Sequence, residues 1–573
     1  MKRFFQPGLL PGVLASFFVL AGCTTGHYRK SADKEAYGVI AQKTPLVKNM
    51  DERFTVEQTN QLSLDGLPVR MSVEEFLGPD GEVERGAHII SLERALDIGV
   101  NQSRVYQSQK EQLFLRALEL TLARHQFAPI FSAGGTANYA VTTADVVDYI
   151  PDPNDPTRQI PVISEKLAET RTANANGQAL GSILLRTGAR LSASFTTDFL
   201  RYLSGDPSTR VSSHLLGTLS QPLWRGAGYK VTMENLTQFE RNLLYGLRDF
   251  TLFRKRFSVD VATAYYGVLQ NRDAVRNSYL NLQNSRKNAE RTRALAREGR
   301  VAQADLGRLE QQELSAESAW ISAVRGYKQA LDNFKIQLGL TTDATVVLDD
   351  KDLEQLKIAH PDISVEDSVK IALATRLDYQ NLREQYEDAG RKTGVAANAL
   401  KAQVDLVASA GIDSKQENAA RWASPDIDRY HWSAGLNLNL PLERKAERNA
   451  YRSSLITQEA ARRAFEQRSD EIKLQVRDGW RALDQAKRNY EISEIGVKIA
   501  ERRVEEQNLL AELGRAKAQD QVDAQNDLVT SKNQLTQALV GHTIARLQFW
   551  NNLGILYIKD HGQWEEVANA QSN

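Results

Sequence analysis

The sequence predicts a mixed α and β fold, internally duplicated, in which runs of alternating strands lead into very long helices. Three observations carry that expectation. The 573-residue chain repeats itself at two fixed offsets, contains period-two runs of membrane-span length, and contains two proline-free helical stretches of about 70 residues.

Composition sets the outer limits. Lys and Arg total 72 against 72 Asp and Glu, so there is no net basic field and no general nucleic-acid binder. A charged fraction of 25% and a mean hydropathy of -0.44 exclude a polytopic helical membrane protein. The single cysteine excludes a disulfide framework and a cysteine-rich metal cluster. Few prolines and much Ala, Leu, Gln, Glu and Arg suit long helices.

The chain opens Met1-Lys2-Arg3, then runs apolar to Leu20. That is an export signal over residues 1–22, too short and too broken by Pro and Gly for a spanning helix. Leu20-Ala21-Gly22-Cys23 resembles the bacterial lipobox, which makes Cys23 the expected lipidated first residue of the mature chain. The other reading is an ordinary signal with an incidental cysteine. Thr24, rather than Asp, resembles lipoproteins sorted to the outer membrane. Residues 23–88 are polar and irregular, and are read as a lipid-anchored tether.

Duplication organises the rest. Ser91-Leu92-Glu93-Arg94-Ala95-Leu96 aligns with Ser364-Val365-Glu366-Asp367-Ser368-Val369 at an offset of 273, with 7 identities in 22 positions over Ser91 to Gln112. Later the offset is 215: Val261 matches Val476, Gly299-Arg300 matches Gly514-Arg515, Asp305 matches Asp520, and Leu338-Gly339 matches Leu553-Gly554. The first half therefore holds 58 extra residues between Gln112 and Gly299. Residues 89–341 form the first repeat, 342–363 a linker, 364–557 the second repeat and 558–573 a tail.

Within each half the order is helix, strands, long helix, shorter helix. The first helix is expected from Ser91 to about Phe127, and from Ser364 to about Ala402. Strand candidates are Ile130 to Val141, Leu191 to Phe199 and Val211 to Leu223 in the first half, and 403–410 and 432–440 in the second. Their period of two over about ten residues fits a membrane strand with one face on lipid and one on water. A soluble two-sided sheet is the alternative. Tyr139, Tyr149, Tyr202, Trp422, Tyr430 and Trp432 near strand ends favour the membrane. The excess of the first half is expected to include an external loop around residues 151–156, rich in Pro and Asp. The long helices run from about 230 to 298 and from about 444 to 513, each ~105 Å. Val261, Val268, Val275, Leu282 and Ala289 recur by sevens, as do Val476, Leu483, Tyr490, Val497 and Val504. These are packing stripes of coiled helices.

About four membrane strands per chain cannot close, and an open sheet edge in lipid is forbidden because its backbone groups stay unpaired. Copies of the chain must complete the barrel.

Over residues 89 to 557 the chain resembles the TolC-like outer-membrane efflux protein family. The residues that carry this are the repeated openings, the junctions Leu219-Ser220-Gln221-Pro222-Leu223-Trp224-Arg225-Gly226 and Leu438-Asn439-Leu440-Pro441-Leu442, the Gly-Arg turns with a following Asp, and the closing Leu-Gly pairs. The resemblance implies an outer-membrane β-barrel plus a long periplasmic α-helical barrel, completed by trimerisation. It implies a passive conduit of a tripartite efflux or secretion system, lipid-anchored in the cell outer membrane and extending into the periplasm. The implied partners are a homotrimer, outer-membrane lipid, a periplasmic adaptor and an inner-membrane pump. Gly299, Arg300, Asp305, Gly514 and Arg515 become adaptor-docking tips, although Gly and Asp there also serve as helix caps. Asp520 and Asp523 resemble the family's Asp-x-x-Asp at the periplasmic entrance. Their spacing puts both carboxylates on one helix face, giving either stacked acidic rings in a trimer or a solvated pair. The first half carries Arg308 at the second position, so the tips are not equivalent.

No enzyme is expected. The eight histidines are scattered without metal-ligand spacing, there is no phosphate loop, and no cofactor is implied. The alternative is a lipid-anchored periplasmic coiled-coil structural or adaptor protein.

Overall fold

The computed structural model describes residues 24–57, 64, 66–204, 209–415, 426–513 and 515–565. Cys23, Trp422 and Gly514 lie outside the described residues.

In chain order the first half comprises α1 (Thr25–Lys43), β1 (His88–Ile90), α2 (Leu92–Gln102) and α3 (Arg104–His125). Strands β2 (Ile130–Asp152), β3 (Asp155–Leu184), β4 (Arg190–Tyr202) and β5 (Thr209–Pro222) follow, then α4 (Glu234–Arg297) and α5 (Gln303–Leu338). The second half comprises β6 (Val346–Leu348), α6 (Val365–Thr375), α7 (Leu377–Ala399), β7 (Gln403–Asp413), β8 (Tyr430–Asn439), α8 (Lys445–Glu512) and α9 (Ala518–Leu553). The chain divides into two compact units. One comprises Met1–Ala117, Asn242–Glu384 and Arg462–Asn573, and the other Leu118–Arg241 and Gln385–Ala461.

The first unit is helical. Val261, Val268, Val275, Leu282 and Ala289 are each at most 2% exposed, so the heptad stripe of α4 is core throughout. On α8, Val476 and Leu483 are fully buried against Ala372, Phe549 and Leu553, while Tyr490 and Val504 are half-buried. One stripe is thus satisfied within the chain and the other only in part.

The expected first helix of each half is two helices. It breaks at Ser103 (φ -62°, ψ 124°) and at Arg376 (φ -67°, ψ 121°). The cause is a docking contact repeated in both halves. Gly339 and Gly554 end α5 and α9 in the left-handed conformation, with φ of 84° and 76°. A Cβ at Gly339 would run into the Gln102 carbonyl, and one at Gly554 would sit 3.0 Å from Thr375 Oγ1. These contacts are related by the same offsets, 215 and 273, that relate the sequences. The helix starts repeat as well. Ser91 Oγ accepts from the Arg94 N–H at 3.3 Å and Ser364 Oγ from the Asp367 N–H at 3.1 Å.

The described residues of the segment read as a tether include folded elements. Helix α1 buries Ala36, Val39 and Ile40; Tyr37 packs on Phe114 at 5.2 Å and Phe54 on Phe250 at 5.5 Å. Ala32, Ala36, Val39 and Ile40 recur at helical spacing, a signal that sequence reasoning missed. Beyond it, β1 pairs in parallel with β6 of the expected linker, from His88 opposite Val346 to Ile90 opposite Leu348.

The second unit is built on one antiparallel sheet in the order β2-β3-β4-β5-β7-β8. It has six strands where the sequence suggested five. The excess of the first half includes the expected turn, but most of it is strand: it forms β3, β4 and the outer part of β2. Within residues 151–156, Pro153 and Asn154 make the turn between β2 and β3, closed by Asp152 opposite Asp155. The Ala, Gly and Asn of β3 mask its alternation, because small residues hardly contrast with polar ones.

Candidate functional site

Two regions carry chemistry. The first is the pair of helix tips in the helical unit. After α4 the Gly299 N–H donates to Ala296 O at 3.0 Å and the Arg300 N–H to Leu295 O at 3.0 Å, with Gly299 at φ 72°. After α8 the Arg515 N–H donates to Leu510 O at 2.8 Å. Asp305 lies in the first turn of α5 and Asp520 in the first turn of α9, where helix N-termini favour negative charge. Ala289, Leu309 and Ala518 pack together with Val522, joining the two tips. Above them is a cavity of about 260 Å³ whose lining includes Arg291, Arg300, Asp305, Asn508 and Gln521. The structure thus brings Arg300 and Asp305 of one tip to the start of α9.

Asp520 and Asp523 are half-buried one turn apart, and Asp523 accepts from Gln519 Nε2 at 2.8 Å. Asp527 follows at i+7 from Asp520 on the same face and forms an ion pair with Arg503 of α8. Sequence reasoning missed Asp527, although the i, i+3, i+7 spacing was its signal. Arg308 is exposed on α5, so the tips do differ there. On the first hairpin Arg293 donates to Glu310 at 2.9 Å and to Glu313 at 2.8 Å. These bonds hold its guanidinium above the ordinary range.

The second region is the sheet. Register places Ala133, Ala179, Phe195, Leu215, Ile412 and Tyr430 in one row across all six strands, every member apolar. The adjacent row, on the opposite face, is Gly134, Gln178, Thr196, His214 and Asp413. The alternation continues along the strands, with Ile130, Leu180, Leu184, Leu200, Leu216 and Val407 as apolar members of the polar face. Tyr139, Tyr430 and Trp432 are exposed, at 59%, 71% and 72%. All four links to helices leave from one end of the sheet, and the connections β2–β3, β4–β5 and β7–β8 lie at the other. Strands β2 and β8 are the edges, each paired on one side only. No described helix is long and apolar enough to cross a membrane.

No protein-family model and no curated protein matches the sequence. Solved structures do match the fold. The CmeC outer membrane channel of Campylobacter jejuni is 12% identical over 83% of this chain and 87% of its own, with a TM-score of 0.56. The outer membrane protein VceC of Vibrio cholerae is 13% identical over 81% and 96%, with a TM-score of 0.57. The outer-membrane channel OprN is 11% identical over 89% and 97%, with a TM-score of 0.55. At these identities the likeness is one of fold.

Proposed function

From the TolC-like outer-membrane channel fold that this chain has, we propose that it is the outer-membrane channel-tunnel of a tripartite efflux or secretion system. Three copies form a passive conduit that takes cargo from an inner-membrane pump and a periplasmic adaptor to the exterior. Cys23, outside the described residues, anchors the mature chain by its lipid. The tips around Gly299, Arg300, Asp305, Gly514 and Arg515 dock the adaptor, and Asp520 and Asp523 line the periplasmic entrance.

The observation that carries this reading is the two-faced sheet with unpaired edges, joined by continuous chain to helices of 64 and 68 residues. Such a sheet is unstable alone in lipid and in water; copies that pair its edges remove both problems. The helices support the same assembly. Ile492, Ile495 and Ile499 form an exposed apolar stripe on α8, and Leu314 and Ile321 another on α5. A lipid-anchored coiled coil or adaptor would need neither the lipid-facing side of the sheet nor its edges.

In a trimer Asp520 and Asp523 contribute two stacked rings of three carboxylates each, a device that favours cations. The test is single-channel recording of the purified protein in planar bilayers, wild type beside Asp520→Asn/Asp523→Asn. Small, cation-selective steps are expected, with selectivity reduced in the variant while conductance persists. Selectivity unchanged in the variant would remove the gate assignment. No conductance from either form, with insertion verified, would count against the conduit.

A further inference from the structure

We infer that each chain contributes six spanning strands, not four, so that three copies close an eighteen-stranded barrel in which β2 of one copy pairs with β8 of the next. This rests on the trimeric channel reading and goes beyond it by giving the barrel its size and its seam.

Four observations carry it. Over their central residues strands β3 and β4 are two-faced, like the other four. Ala175, Ala179, Ala193 and Phe195 share the apolar face, while Asn176, Gln178, Ser194 and Thr196 share the polar one. Their mutual pairing runs from Thr172 opposite Tyr202 to Leu184 opposite Arg190, enough for the ~9–11 residues of a tilted membrane strand. The β3–β4 turn is also fastened at the helix-bound end. Thr187 O accepts from the Gly228 N–H at 3.1 Å, and Thr187 Oγ1 donates to Gln221 Oε1 at 3.1 Å.

Third, strand directions alternate across the sheet, so β2 runs away from the helices and β8 toward them. A seam between β8 and a neighbour's β2 is therefore antiparallel like every other pair. Fourth, the edges lack protection. From Ile130 to Thr142, β2 has no charged residue and no proline, and β8 has none beyond His431. Edges exposed to water normally carry such residues to prevent pairing, whereas these two are left open to it.

Barrel diameter grows about linearly with strand number, so the exit would be roughly 1.5-fold wider than a twelve-stranded one and of porin class. Beyond Val141 and before Thr172, β2 and β3 pair only with each other and extend past the sheet as a ribbon.

The experiment uses the full lipidated chain in outer membranes and has two arms. In the first, cysteines replace Ala137 or Tyr139 on β2 together with Ala434 or Leu436 on β8, with each single variant as the control for Cys23. Oxidation is expected to produce a covalent ladder ending at the trimer in at least one pairing. In the second arm, a water-soluble maleimide probes Asn176→Cys and Thr196→Cys beside Ala175→Cys and Ala193→Cys. Labelling is expected to be at least about tenfold faster at the first two, whose face is on water.

Equal, rapid labelling at all four sites would place β3 and β4 outside the bilayer and overturn the six-strand count. A ladder ending at the dimer would overturn the three-copy reading and leave the six-strand sheet standing. No ladder in any pairing, with two-faced labelling intact, would overturn the β2–β8 seam.

Discussion

His542 is fully buried on α9, and neither ring nitrogen has a hydrogen-bond partner. Its ring lies 6.2 Å from that of His360, with Arg546 on its own helix and Lys487 on α8 contributing positive potential. Burial first, then Arg546, His360 and Lys487, push its pKa down to about 4 from 6.5. Between those values the unfolded chain takes up a proton that the native chain refuses. Stability therefore falls as pH drops from 6.5 to about 4, by up to ~1.4 kcal/mol per pH unit from this group. Apparent unfolding midpoints measured across that range should show the slope, and His542→Gln should flatten it. Arg272 is the opposite case, a buried cation held beside carboxylates. It is 1% exposed, with Glu84 at 2.8 Å, Asp350 at 3.2 Å and the Tyr327 hydroxyl at 2.8 Å. Arg272→Met would leave the half-buried Glu84 without its cation, while Asp350 keeps Arg70 at 3.0 Å, at a cost of up to about 3 kcal/mol. Denaturant unfolding should show that loss, and adding Glu84→Gln should recover part of it. Neither residue stood out in the sequence, because burial and partners come from segments far apart in the chain.

The elements were legible wherever a period was long. The stripe from Val261 to Ala289 was readable by sevens and is buried along its whole length. The breaks at Ser103 and Arg376 were not readable, since no proline or glycine marks them and the cause lies at Gly339 and Gly554. Gly339→Ala is expected to be the more damaging of the two glycine substitutions. It adds strain at φ 84° and a collision with the Gln102 carbonyl, whereas at Gly554 the nearest contact is a side-chain hydroxyl. Thermal unfolding of the two single variants should show the larger loss at Gly339, roughly 1–3 kcal/mol from the backbone strain alone. Strand β3 escaped for the reason β8 did not: Leu436 and Leu438 alternate visibly with Asn437 and Asn439, whereas Ala and Gly beside Asn give little contrast.

For the whole molecule the open question is which surfaces remain for copies of the chain. Ile492, Ile495 and Ile499, at 67%, 58% and 60% exposure, sit at i, i+3 and i+7 on α8. Burying each against a neighbouring copy is worth about 1.5–3 kcal/mol. Ile495→Glu should therefore weaken assembly by at least on the order of tenfold at each interface. Sedimentation of the detergent-solubilised protein should show smaller species, and a variant that sediments like wild type would remove α8 from the interface.

Duplication, heptad stripes, alternating strands and the Asp520–Asp523 spacing were determined by the sequence alone, because each is a periodic or repeated pattern that survives without neighbours. The sixth strand, the packing of α1, the helix breaks and the Asp527–Arg503 pair were decided only in three dimensions. Each depends on which distant segments meet: a strand of small residues is recognised by the register of its partners, and a break by the glycine docked against it.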